Sequence, residues 1–276
     1  MRIHHLNCGS VREVEPTYDG PLPARAVNHC LLVETDRDGL VLVETGLGLA
    51  DVGSPSESLG ADWVSMTQPL LAESETAIRQ IEHRGFSAAD VRHIVLTHLD
   101  VDHCGGLPDF PDAEVHVLRA ELEAAMRQAP SFRYRPAHWR HEPRWVTYDD
   151  TGDDDWFGFR SLPVVGLGDD LRLVPLGGHT EGHSGVAVRD GGRWLLHCGD
   201  AYYYHLEVAE EPVSHPLLDL VQTSSEVDHD LRVDTQARLR ALVRQHPAEV
   251  EVISAHDPWE FARYTGAEAP GLPASA

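Results

Sequence analysis

The residues best suited to do chemistry lie in one short run, Thr97-His98-Leu99-Asp100-Val101-Asp102-His103, which precedes Cys104 and two glycines. In an extended segment the side chains of His98, Asp100 and Asp102 project to one side, and a turn into the glycines brings His103 beside them. Such imidazole and carboxylate groups bind divalent metal ions. A solvated polar turn is the alternative, but its two carboxylates would repel each other unless a cation or the histidines compensated them. The run therefore favours a metal site.

Three later segments carry the same residue types, and each directly follows a predicted strand. They are Gly177-Gly178-His179-Thr180-Glu181-Gly182-His183-Ser184, His197-Cys198-Gly199-Asp200, and Ile253-Ser254-Ala255-His256-Asp257-Pro258. Strand ends at one edge of an α/β sandwich form a common surface. Histidines and aspartates gathered on that surface suit two divalent cations.

The elements that must position these residues alternate between β-rich and helical runs, which predicts a layered α/β fold in one domain spanning residues 1–276. Strands are predicted at 2–6, 29–34, 39–44, 91–97, 114–118, 171–176, 185–189, 193–197 and 250–254, and helices at about 74–84, 87–90, 120–128 and 234–245. The segment of about 130–168 has weak periodicity, so a lid and a disordered insertion both remain open. A flexible tail is expected at about 266–276.

Composition narrows the classes of partner. The chain of 276 residues has a formal net charge of −23 and no lysine, so it lacks the basic surface of a nucleic-acid-binding protein. It has neither an apolar run of membrane-spanning length nor a signal peptide, which predicts a cytoplasmic protein without a membrane partner. Four widely spaced cysteines indicate no disulfide framework. A small-molecule substrate is the expected partner, and a homodimer is compatible with the sequence.

These motifs resemble those of the metallo-β-lactamase superfamily, whose members carry H-x-H-x-D-H, G-H-T-x-G-H and G-D segments and a late histidine. The resemblance covers nearly the whole chain apart from 130–168 and implies an αββα sandwich with a dinuclear metal site. It implies that one metal is held by His98, Asp100 and His179, the other by Asp102, His103 and His256, and that Asp200 bridges them. Glu44 stands where the family has the aspartate of a D-T-G motif.

Asp100 departs from the family pattern, in which a second histidine occupies this position. Three carboxylates and a bridging hydroxide neutralise two divalent ions, whereas the usual two carboxylates leave one positive charge. Replacing nitrogen by oxygen favours harder cations, so manganese, iron or cobalt compete better with zinc, which remains the first expectation. Flavodiiron proteins similarly have a carboxylate here, but this chain has no room for their flavodoxin domain. From the sequence alone, Asp100→His should retain or increase zinc occupancy.

The resemblance implies a hydrolase in which a metal-bridging hydroxide attacks a carbonyl and Asp102 passes a proton to the leaving group. A lactone or another carboxylic ester is the leading substrate class. N-acyl homoserine lactonases of the superfamily have a tyrosine three residues after the bridging aspartate, which corresponds to Tyr203, whose hydroxyl is suited to donate to an oxyanion. Loop packing is an equal alternative for this tyrosine. Phosphoester hydrolysis, iron-dependent oxidation and a catalytically weak metal-binding protein also remain open.

Overall fold

The computed structural model describes residues 1–15, 24–151 and 154–265. Its strands are β1 (Arg2–Asn7), β2 (Glu13–Val14), β3 (Ala24–Arg25), β4 (His29–Glu34), β5 (Leu40–Val43), β6 (Val91–Val95), β7 (Glu114–Leu118), β8 (Arg144–Tyr148), β9 (Asp155–Trp156), β10 (Phe159–Arg160), β11 (Leu162–Pro163), β12 (Leu171–Pro175), β13 (Ser184–Asp190), β14 (Arg193–His197) and β15 (Val250–Ile253). Its α-helices are α1 (Leu49–Gly53), α2 (Ala61–Thr67), α3 (Ala77–His83), α4 (Val101–Cys104), α5 (Arg119–Gln128), α6 (Pro216–Ser225), α7 (His229–Gln245) and α8 (Pro258–Thr265).

Two sheets form the centre of the fold. The first has the order β1-β4-β5-β6-β7-β8, with β5 to β8 parallel, and the second has the order β11-β12-β13-β14-β15, with only the β14–β15 pair parallel. Strands β4 and β5 form a hairpin, since they pair in antiparallel register. In β6, β12, β14 and β15 the carboxyl ends lead into segments that carry the predicted ligands, and the carboxyl end of β5 leads into Glu44.

The core explains why the strands are apolar on both faces. In β4, Leu31 and Val33 point into the layer between the sheets, where they join Leu173 and Val186 of the second sheet. Leu32 points to the other side, in a cluster that reaches helices α3 and α5. On the outer face of the second sheet, residues of β12 to β15 pack against Leu239 and Leu242 of α7. Helices therefore cover both outer faces, and the αββα sandwich is confirmed.

Most predicted strands agree with the structure within two residues, and the differences have local causes. The helix predicted from Ser74 begins at Ala77, because 73–75 form a separate 3-10 turn before Thr76. Helix α7 begins at His229 rather than at 234, because the Asp228 carboxylate caps its first turn by accepting the N–H of Leu231. Helices α6 and α8 were not predicted.

The segment 130–168 is built into the sandwich where the structure describes it. It contains β8, which pairs along its length with β7 and forms the edge of the first sheet, and the short strand β11 of the second sheet. The disordered-insertion alternative is therefore wrong for β8. The predicted tail at 266–276 lies outside the described residues. Across the described ranges, no helix is both long and apolar enough to cross a bilayer.

Candidate metal centre

Backbone hydrogen bonds hold the ligand-bearing loops together at one edge of the sandwich. The Thr97 N–H after β6 donates to Glu44 Oε1 after β5 at 2.5 Å, and the Ser184 N–H donates back to Thr97 O at 3.0 Å. After β15, the Ala255 N–H donates to Gly199 O after β14 at 3.1 Å. Each loop is thus fixed to its neighbour by a hydrogen bond that a backbone N–H donates.

Asp200 lies at the centre of this edge with one carboxylate oxygen facing each side. Its Oδ2 is 3.3 Å from His179 Nε2 and 3.8 Å from His98 Nε2. Its Oδ1 is 3.2 Å from His103 Nε2 and 3.1 Å from His256 Nε2. A carboxylate in this position can bridge two groups of ligands.

The first group consists of His98, His179 and Asp200, with Asp100 beside it. Asp100 Oδ2 lies 3.5 Å from His98 Nε2 and 3.2 Å from His179 Nε2. Both imidazoles are buried, and burial lowers the pKa of His179 to about 3 although Asp200 acts in the opposite direction. Burial also lowers the pKa of His98 well below its usual value. Both histidines are therefore neutral, which is the form that binds a metal.

The second group consists of Asp102, His103 and His256, whose ligand atoms lie within 4.8 Å of one another. Asp102 Oδ2 is 3.7 Å from His256 Nε2, and the Nε2 atoms of His103 and His256 are 3.3 Å apart. Burial is the largest single influence and works against protonating these imidazoles, but Asp200 and Asp102 together raise the pKa of His256, and Asp200 and Glu44 together raise the pKa of His103. The carboxylates thus favour a positive charge beside these two imidazoles, and a bound cation can provide that charge.

The donor set fits divalent metal ions. In three of the four histidines, Nε2 faces the centre while Nδ1 is held from outside: His98 by Thr97 Oγ1 at 2.8 Å, His103 by Glu44 at 2.6 Å and His256 by Val27 O at 2.9 Å. Such outer contacts fix the tautomer and the ring of a metal ligand. Among the described residues, buried atoms without a hydrogen bond include His98 Nε2, Asp100 Oδ1 and Asp200 Oδ1, all in this centre.

The sequence-derived site residues are all brought together here: His98, Asp100, Asp102, His103, His179, Asp200, His256 and Tyr203. His183, which lies in the same sequence segment as His179, supports the loop that holds Asp200. Its Nε2 accepts the Asp200 N–H at 3.0 Å and its Nδ1 contacts Leu176 O at 2.7 Å. This histidine orients the loop that holds Asp200.

Sequence reasoning missed two residues of the site. Glu121, buried in the first turn of α5, accepts the Leu99 N–H at 3.0 Å and the Gly182 N–H at 3.2 Å, and so joins the two main ligand loops. Arg133 places Nη1 3.1 Å from Asp100 Oδ2 and 3.2 Å from His179 Nε2. A glutamate early in a predicted helix and an arginine in a weakly periodic segment gave no signal of these contacts.

A cavity opens onto the centre and joins polar and apolar surfaces. At the polar end lie Asp100, Asp102, His179, Asp200, His256 and Tyr203. The Tyr203 hydroxyl donates to Asp200 Oδ2 at 2.8 Å. The remaining wall is mostly apolar and is formed largely by Val11, Val14, Ala26, Trp63, Met66, Phe132, Leu217, Leu218 and Val221. The cavity therefore suits a molecule with one reactive polar group and an apolar remainder.

A separate histidine cluster lies on β6 and β7, away from this cavity. His93 Nδ1 is 3.0 Å from His116 Nε2, and His116 Nδ1 is 2.8 Å from the Tyr148 hydroxyl on β8. Glu114 is half exposed, with Oε2 3.7 Å from His93 Nδ1. The facing ring nitrogens already have hydrogen-bond partners. This series of hydrogen bonds is therefore explained as a link between strands β6, β7 and β8.

Comparison with known proteins agrees with the fold. A family model described as "Metallo-beta-lactamase superfamily" matches residues 25–250. A probable metallo-hydrolase of Mycobacterium tuberculosis is 42% identical over 96% of this chain and 84% of its own length. The N-acyl homoserine lactonase AttM of Rhizobium johnstonii is 26% identical over 95% of this chain and 91% of its own. A crystal structure of a Bacillus thuringiensis AiiA variant, with N-decanoyl-L-homoserine bound at the active site, has a TM-score of 0.69 at 20% identity and covers 94% of both chains.

Proposed function

Since the chain belongs to the metallo-beta-lactamase superfamily and is a metal-dependent hydrolase, we propose that it hydrolyses a lactone or another carboxylic ester at a dinuclear metal centre. The observation that carries the dinuclear proposal is the position of Asp200, whose two carboxylate oxygens face two separate groups of ligands. The protein residues proposed to bind one ion are His98, Asp100 and His179. Asp102, His103 and His256 are proposed to bind the other.

The chemistry proposed for the cations is limited to two tasks. When bound, two divalent ions supply an activated water as nucleophile and polarise the carbonyl that it attacks. Zinc is the first choice because histidine and carboxylate ligands dominate the site. The extra carboxylate of Asp100 makes manganese, iron and cobalt competitive, so metal identity is part of the test.

Two side chains at the polar end of the cavity complete the proposed reaction. Tyr203 directs its hydroxyl into the site, where it now contacts Asp200 at 2.8 Å, and it is positioned to donate to the oxygen of an opening ester. Asp102 lines the same cavity with 16% of its side chain exposed, and it is proposed to take the proton that the attacking water releases and to pass it to the leaving alkoxide. Both groups act on atoms that carry charge only during the reaction.

The cavity and the relatives support the proposed substrate class. The wall around Trp63, Met66, Phe132 and Val221 is apolar, which suits an acyl or alkyl chain better than a phosphoester with several charged oxygens. AttM, which aligns with nearly the whole chain, is an N-acyl homoserine lactonase. We therefore place lactones with an apolar substituent first.

The test is a substrate panel with controlled metal content. The protein is purified from defined medium, stripped with a chelator and reloaded with zinc, manganese, iron(II) or cobalt(II). Ring opening of lactones is followed by pH-stat, beside thioesters and phosphodiesters. Turnover of lactones by protein with two ions per chain is expected. Activity confined to phosphodiesters with every metal contradicts the lactonase proposal, and a chain that retains fewer than two ions contradicts the dinuclear one.

A further inference from the structure

We infer that Arg133 is the counter-ion of Asp100, and that the Asp100–Arg133 pair together replaces the single neutral histidine that the superfamily pattern has at this position. Arg133 is a positioning residue, because it acts on the metal centre through Asp100. The inference rests on the proposed metal centre, and it names a part of that centre that the superfamily's ligand motifs do not contain.

The pair is largely withdrawn from water. The side chains of Arg133 and Asp100 are 16% and 14% exposed, and Nη1 lies 3.1 Å from Oδ2. By comparison, the pair of Arg127 and Glu181 has exposures of 57% and 44%. Water screens a surface pair, whereas charges withdrawn from water interact strongly and must be compensated.

The guanidinium is fixed at both ends. While Nη1 faces Asp100, it also donates to His179 O at 3.4 Å. Nη2 donates to Ser225 O, the carbonyl of the last residue of α6. The carbonyls in the last turn of a helix lack helical partners and attract cations. A planar group with several donors can satisfy these acceptors at once, which a lysine ammonium cannot do with the same geometry.

The charge balance explains why Asp100 needs this partner. A histidine at position 100 would be neutral, and the centre would then contain two carboxylates. Asp100 adds one negative charge beside Asp102 and Asp200, and Arg133 adds one positive charge within hydrogen-bond distance. Among the ion pairs of the described residues, Arg133 is the sole arginine that contacts this centre. The pair therefore restores the net charge of the usual histidine-containing site.

This contact changes the expectation for Asp100→His. The substitution leaves the buried Arg133 without its carboxylate, close to His179 and to two cations, so the repulsion between positive charges should weaken zinc binding. Removing the arginine in the same protein, as Asp100→His with Arg133→Met, takes away that repulsion and recreates the usual ligand set. Zinc affinity should then return.

The experiment measures zinc affinity and stoichiometry by chelator competition, without any substrate. Asp100→His should bind zinc at least about tenfold more weakly than wild type, and the Asp100→His/Arg133→Met protein should recover to within about threefold. Asp100→His/Arg133→Lys, which keeps the charge, should stay weak. Asp100→His/Arg127→Met is the matched control, because it removes an exposed arginine and should also stay weak.

The outcomes separate this inference from the proposed function. If wild type binds two zinc ions but Asp100→His binds them equally tightly, or Arg133→Met does not restore affinity, Arg133 is not the counter-ion. If wild type itself fails to bind two ions, the dinuclear proposal fails instead. Circular dichroism of each variant checks folding. Should the methionine variant be unfolded, Arg133→Gln takes its place with the same expected recovery.

Discussion

The Glu44 carboxylate contacts the Nδ1 atom of His103 at 2.6 Å, and its other oxygen accepts the Thr97 N–H at 2.5 Å. Glu44 therefore links the β5 exit to the loop after β6. The residue has a φ of 64°, a left-handed conformation that is strained for a side chain other than glycine. Strain of this kind is retained where surrounding contacts fix the backbone, often at functional sites. The longer glutamate thus occupies the place of the superfamily aspartate and still reaches His103.

Glu44→Gln should weaken zinc binding at the group of Asp102, His103 and His256 by about 10- to 100-fold, because the amide orients His103 less firmly and lowers its basicity. Chelator competition and metal content measure the effect. Glu34→Gln is the matched control, since Glu34 contacts His4 at 2.5 Å on β1, outside the centre. Equal zinc affinity in Glu44→Gln and wild type would show that this contact does not support a ligand.

Asp200→Ala should prevent the protein from holding two ions at once, because each carboxylate oxygen of Asp200 faces two histidines. The hydrolytic rate should fall by orders of magnitude. Metal content by mass spectrometry and lactone turnover measure the two effects. Asp190→Ala, at the end of β13, is the control for removal of an aspartate. An Asp200→Ala protein that retains two ions would contradict the bridging role.

The sequence was sufficient for nine strands and for the candidate ligands that follow four of them, but not for β8. His98, Asp200 and His256 come directly after apolar strand runs, so a local pattern placed them at a common edge. Arg133 could not be identified in this way, because its partners Asp100, His179 and Ser225 are set by the fold, and Ser225 is 92 residues away in the chain. Helix α6 escaped prediction because Leu220 and Val221 are apolar but exposed, which obscures the helical periodicity.

Tyr203→Phe should lower kcat for lactones by about 100-fold with little change in KM or zinc content, because the lost hydroxyl is proposed to act on charge that develops during the reaction. Steady-state kinetics on zinc-loaded protein measure this split. Tyr202→Phe is the control from the adjacent position. The Tyr202 hydroxyl donates to Glu260 at 3.0 Å, so its loss should lower stability and leave kcat near wild type. If Tyr203→Phe retains full kcat, the tyrosine serves only in loop packing.

Glu207 should make the protein less stable as pH rises. Burial raises the pKa of its carboxyl group from 4.5 to about 7, although the Tyr203 N–H, which donates to it at 3.1 Å, acts in the opposite direction. Between these two pH values the folded protein holds a proton that the unfolded chain releases. The free energy of unfolding therefore falls across this window, by up to about 3 kcal/mol.

Glu207→Gln removes this titration and keeps an oxygen that can accept the Tyr203 N–H, so the variant should gain stability relative to wild type from pH 5 to pH 8. Urea unfolding at several pH values, with a chelator present to exclude metal binding, measures the difference. Glu210→Gln, at an exposed position three residues further along the chain, should show a difference that does not vary with pH. A constant difference for Glu207→Gln as well would mean that Glu207 ionises normally in the folded protein, and that burial beside Tyr203 does not hold its proton.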